Sequence, residues 1–198
     1  TYDEAIESLS RALEIDPNHL SSLASRGEAY RAAGRLDEAL ADLDAAIRRD
    51  PEYAWAYASR GEAWRGKEDF ERAVADFSEA ISRSPDYPWA LGRRGESYRM
   101  LGRYEEAIAD LDRTIELWPE DSYAYASRGQ TYKEMGEYQL AVADLDRAIE
   151  LDPDYQWAKD RRAEALGEMA SARETPEPDR SPAPPADRSA LPLVAVLD

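Results

Sequence analysis

Residues 20–53 read LSSLASRGEAYRAAGRLDEALADLDAAIRRDPEY, and residues 54–87 read AWAYASRGEAWRGKEDFERAVADFSEAISRSPDY. The second line repeats the first at a step of 34 residues. Pro17, Pro51, Pro85, Pro119 and Pro153 keep that step, as do Gly27, Gly61, Gly95 and Gly129. Alanine keeps it at Ala5, Ala39, Ala73, Ala107 and Ala141, and arginine at Arg26, Arg60, Arg94, Arg128 and Arg162. A fixed period of this length marks an array of small units, each burying its apolar face only against its neighbours.

Each unit divides into two helical stretches. From Leu20 to about Ala33, Leu23, Gly27 and Tyr30 fall on one helical face, and Gly34 supplies a C-terminal stop. From Asp37 to about Arg49, Ala39, Leu40, Leu43, Ala46 and Ile47 form a second apolar stripe. Asp50-Pro51 ends it, because proline disfavours helical geometry in the residue before it. The pattern returns as Gly95, Tyr98, Gly102, Tyr104, Ala107, Ile108, Leu111, Ile115 and Pro119, so every unit is predicted to be a helical hairpin.

Gly27, Tyr30, Gly34, Leu36, Ala39, Ala46 and Pro51, repeated over 34 residues, resemble the tetratricopeptide repeat. The resemblance covers roughly residues 2–172 and implies an all-α, right-handed solenoid of helix-turn-helix units that holds protein partners. Two departures are local. Glu68 replaces the turn glycine of the second full unit, where Gly66 is expected to end the helix two residues early, and Thr114 replaces a packing alanine. Residues 2–16 match a second helix alone. Full units are expected at 20–53, 54–87, 88–121 and 122–155, with a polar capping helix over 156–172 carrying Lys159 and Asp160. The lone first helix, and a Thr1 start without methionine, lead to the expectation that further repeats precede it.

Residues 173–198 hold six of the twelve prolines and are expected to be extended and mostly disordered. Their apolar end, residues 191–198, reads either as the start of an unseen segment or as a peptide that docks in a repeat groove. Formal charge is −17, from 25 basic and 42 acidic residues. Such a surface repels phosphate backbones and anionic lipid, which argues against nucleic-acid and membrane partners and favours a basic or apolar one. There is no cysteine, no apolar run long enough to span a bilayer and no hydrophobic N-terminal leader. A cytoplasmic location follows only by default.

In this family the first helices resemble staves lining a concave groove. In the first full unit Ser21, Ala24, Ser25, Glu28, Arg31 and Ala32 form one stripe beside the packing stripe. Across units that stripe yields an aromatic row, Trp55, Trp89, Tyr123 and Trp157, with Ser21 the exception. Beside it run a small row (Ala24, Ala58, Gly92, Ala126) and an acidic-polar row (Glu28, Glu62, Glu96, Gln130, Glu164). A basic row follows: Arg31, Arg65, Arg99 and Lys133. Within a unit the acidic and basic members stand three apart, as helical neighbours do. Two readings stand for these rows: contacts to a ligand, or solvated charges and rings packed between helices. Indole faces grip apolar or cationic side chains, and small residues leave floor space for a ligand backbone. Some relatives clamp a chaperone's C-terminal carboxylate with Lys and Asn. Those places hold Ala24, Glu28, Ser59, Trp89 and Arg93 here, so only Arg93 fits, as a single anchor.

A second constellation reads as structural. Arg26, Arg60, Arg94 and Arg128 each precede an aspartate by 16 residues (Asp42, Asp76, Asp110 and Asp144), which suggests a staple between the two helices of each hairpin. His19, the one histidine, falls in an inter-unit turn. No phosphate loop, metal-ligand spacing or nucleophile elbow is found, so neither catalysis nor a cofactor is expected. The leading expectation is an interaction scaffold that takes a peptide in its groove. Alternatives are self-association through residues 191–198 or the open first helix, and service as a regulatory segment of a larger signalling protein.

Overall fold

The computed structural model describes residues 1–174, which form helices and no strands. They are α1 (Tyr2–Ile15), α2 (Leu20–Ala32), α3 (Leu36–Arg49), α4 (Ala54–Gly66), α5 (Phe70–Arg83), α6 (Pro88–Met100), α7 (Tyr104–Leu117), α8 (Ser122–Glu134), α9 (Tyr138–Leu151) and α10 (Gln156–Glu174). Each helix packs on the next in the chain. The tail beyond Glu174, including residues 191–198, lies outside the described residues.

The hairpins close tightly where the glycine column sits. A Cβ on Gly27 would lie 2.8 Å from Leu43 Cγ and 3.2 Å from the Ala39 carbonyl oxygen. On Gly129 it would lie 2.9 Å from Leu145 Cγ and 3.0 Å from the Ala141 oxygen. Only a missing side chain lets the two helices approach this far. Facing those glycines, Leu43, Phe77, Leu111 and Leu145 are fully buried, each contributing about 1.5–3 kcal/mol by leaving water. Thr114 occupies an alanine position yet is 1% exposed, because its hydroxyl donates to the Asp110 carbonyl at 2.8 Å. The hydroxyl is thus buried without being stranded.

The turn inside each hairpin needs one residue in left-handed geometry. Gly34, Gly102 and Gly136 supply it with φ of 75°, 71° and 80°. In the second hairpin Glu68 takes φ 60° instead, and α4 runs to Gly66, the register at which α2 reaches Ala32. The helix thus ends at Gly66 as expected, but at the register common to the first helices and not early. The same backbone bonds close both turns, Arg35 N–H to Tyr30 O at 2.8 Å and Asp69 N–H to Trp64 O at 3.0 Å, and they hold Glu68 in place despite its side chain.

The arginine column ties the array together in two directions. Arg94 grips Asp110 with two bonds of 2.7 Å, and Arg26, Arg60 and Arg128 hold Asp42, Asp76 and Asp144 in the same bidentate way. These aspartates are among the buried polar groups. The remaining arginine nitrogen reaches back to the preceding second helix: Arg26 to Ser10 (3.1 Å), Arg60 to Asp44 (2.6 Å), Arg94 to Ser78 (3.0 Å) and Arg128 to Asp112 (2.5 Å). Arg162 likewise meets Asp146. Arg26, Arg60, Arg94 and Arg128 thus each span three helices.

Successive first helices touch, α2 with α4, α4 with α6, α6 with α8 and α8 with α10, whereas no two second helices do among the described residues. The close-packed side is the inside of the curve. It carries the first helices.

Candidate functional site

The rows read from the sequence do share this inner side, and their charges are paired largely across units. Arg31 holds Glu28 within its own helix, at 2.9 and 2.5 Å. Arg65 meets Glu62 at 2.9 Å and also reaches Glu96 of the next unit at 2.8 Å. Arg99 pairs with Glu134 at 2.7 Å and Lys133 with Glu164 at 2.7 Å, not with the neighbours three places earlier in their own helices. For those two cations the expectation of pairs within one helix is corrected. The reason is that adjacent first helices pack closely enough for long side chains to cross. Gln130 is buried and donates to Glu134 at 2.7 Å, while its carbonyl oxygen has no hydrogen-bond partner.

Glu96 is the hub of this network. Burial opposes its charge, yet the Arg65 guanidinium, the Tyr123 hydroxyl and Arg93 together hold its carboxyl below the usual carboxylate range. Arg93 lies 3.2 Å from Glu96 and 3.6 Å from Glu62, and donates to the Tyr123 hydroxyl at 2.5 Å. Burial, with the Glu96 carboxylate, pushes the Tyr123 phenol up. Tyr123 therefore serves the polar network as well as the aromatic row. The groove carboxylates are met by resident cations. Many exposed acids stand on second helices, among them Asp37, Glu38, Glu71, Glu79, Glu105 and Glu116, while Glu134, Asp160 and Glu168 on α8 and α10 are exposed as well. Much of the acidic excess of the chain lies away from the inner face.

Three of the four members of the aromatic row are doubled, which sequence reasoning missed; Tyr123 has Asp121 in the corresponding place. Tyr53 stacks near Trp55 (centroids 5.9 Å apart), Tyr87 near Trp89 (6.0 Å) and Tyr155 on Trp157 (5.9 Å). The signal is present in the sequence, because these tyrosines also recur at the 34-residue step, two places before each tryptophan. Burial and then the Glu28 carboxylate push the Tyr87 phenol up, and burial, Glu96 and Asp121 do so for Tyr155. Trp55 is half-buried against the core, while Trp89 and Trp157 stay 38% and 39% exposed. Trp118, at a register where Asp16, Asp50 and Asp152 stand, is 53% exposed. Its indole lines a cleft of about 170 Å³ with Trp89, Gly92 and Arg93. His19 precedes α2, its Nδ1 lying 2.8 Å from Ser22 Oγ.

These features define a class: a helical-hairpin solenoid whose first helices present one continuous inner face. The chain belongs to the tetratricopeptide repeat family, whose models match it over residues 1–19, 24–88, 59–122 and 122–155. Such arrays are generally non-catalytic and act as protein-interaction scaffolds. Among solved structures, MamA is 28% identical, with a TM-score of 0.70 over 77% of this chain and 89% of that one. TTC0263, a thermophilic tetratricopeptide protein of Thermus thermophilus, is 26% identical, with a TM-score of 0.69 over 83% and 90%. YrrB, described as having an unusual peptide-binding site, is 22% identical, with a TM-score of 0.70 over 82% and 84%, and shares the fold. No curated protein matches the chain by sequence. Among the described residues no helix is long and apolar enough to cross a membrane.

Proposed function

We propose that the inner face binds an extended segment of a partner protein along α4, α6, α8 and α10. One observation carries the reading: Trp89 and Trp157 keep more than a third of their surface in water while the charges beside them are already paired. Open indole faces among satisfied charges gain from apolar contact and lose little polar hydration. The peptide-binding site described for YrrB supports this use of the fold without carrying its residues over. Peptides selected from a display library on the full chain are expected to lose about tenfold or more in affinity to Trp89→Ala and Trp157→Ala. Selected peptides that bind both variants unchanged would move the site elsewhere.

A second reading is self-association through α1, whose Tyr2 and Ile15 are 59% and 88% exposed. Light scattering on the full chain distinguishes it. A monomer mass across the accessible concentration range sets it aside.

A further inference from the structure

We infer that the segment taken by the inner face is proline-rich and bound as a polyproline II helix, with prolines stacking on the indoles of α4, α6 and α10; this rests on the reading of the inner face above. Each indole of the row is backed by a tyrosine. Tyr87 and Tyr155 are partly buried against the core and back Trp89 and Trp157, with ring centroids 6.0 and 5.9 Å apart, so the two indoles are held in place with an outer face left open to a compact, rigid ring.

Charge argues against a basic occupant. Arg93 already stands over Trp89 (5.9 Å) and Tyr123 (4.7 Å), and Arg161 over Trp157 (5.8 Å). The carboxylates that would draw in a lysine, Glu62, Glu96 and Glu164, are held by Arg65, Arg93, Lys133 and Arg161. A cationic segment would have to displace these resident partners. A neutral one displaces none, and a proline-rich one enters with its backbone already ordered.

Spacing agrees. First helices of adjacent units touch, which sets their axes about 8–10 Å apart. A polyproline II helix rises about 3.1 Å per residue with three residues per turn, so the same face returns every ~9.3 Å. A strand returns a face every ~6.6 Å and falls out of step.

The third hairpin supplies the seat. Gly92 interrupts the column Ala24, Ala58 and Ala126, and packing does not demand it, because an added Cβ would meet only Thr114, at 3.7 Å. The space it leaves is the floor of the cleft between Trp89 and Trp118. Two indoles around an open floor suit one pyrrolidine ring.

The test is a titration of the full chain with an oligoproline of about nine residues, three polyproline turns, read by tryptophan fluorescence and calorimetry. A parallel chain carries Pro176→Ala, Pro178→Ala, Pro182→Ala, Pro184→Ala, Pro185→Ala and Pro192→Ala, which removes competition from the prolines after Glu174. Saturable binding to either version is expected, weakened about tenfold by Gly92→Ala or Trp118→Asp, with the unfolding midpoint unchanged. Leu140→Ala, on an exposed side chain of α9, should leave binding as it is. An alanine-substituted or lysine-rich peptide of equal length that binds as tightly through Trp89 would overturn the ligand class and leave the inner-face reading standing. If no peptide of any class perturbs Trp89, both fall.

Discussion

At the scale of single residues, the arginine column shows how far spacing alone can be read. The partner 16 residues downstream was legible, because Arg26 and Asp42 and their counterparts recur in every full unit. The second acceptor was not, because Ser10, Asp44, Ser78 and Asp112 alternate in type and reveal no column until the helices are placed. Arg94→Met strands Asp110, whose side chain is 10% exposed. It should destabilise the chain by about 2–3 kcal/mol in urea titration, less than the ~3–5 of a fully buried pair because Arg94 is 19% exposed. Adding Asp110→Leu should restore part of that loss, since a paired charge replaced on both sides leaves nothing stranded. Glu96 carries a pH signature. Its carboxyl is held below the ordinary range, so the folded state favours its charged form. The resulting stability is complete above the ordinary carboxylate pKa of about 4.3 and is lost as pH falls through the lower folded value. The stability gap between the parent and Glu96→Gln should therefore be widest near neutrality and close progressively below about pH 4.5. A gap that stays constant to pH 3 would remove Glu96 from its place as hub.

At the scale of elements, the hairpins were legible because two signals agree within each: a helical apolar stripe and a turn residue after it. The end of α4 shows where the second signal misleads. Helix α4 does end at Gly66, but the stop is set by the backbone bonds that close the turn, at the same register as in the other units, and these place the left-handed residue at Glu68. A side chain there costs roughly 1 kcal/mol. Glu68→Gly should raise stability by about that amount, and Gly34→Ala should lower it by a similar one, both read from denaturant midpoints at constant slope. Equal stability of parent and Glu68→Gly would mean that the second turn relaxes around its glutamate.

At the scale of the whole molecule, the 34-residue step made the array legible, and the inner face followed from which helices touch. The partners of Arg99 and Lys133 did not follow, because they depend on how closely neighbouring units approach. The paired tyrosines escape notice for a different reason. They lie at the end of one unit and act in the next, so a reading unit by unit divides each pair. Charge had the same fate: a net −17 describes the chain, while the groove is neutralised from within. What the array is for rests on its inner side. The most direct measurement is amide hydrogen exchange on the full chain with and without a bound library-selected peptide. New protection should appear in α4, α6 and α8 and leave α5, α7 and α9 unchanged. Protection confined to those second helices would contradict the account.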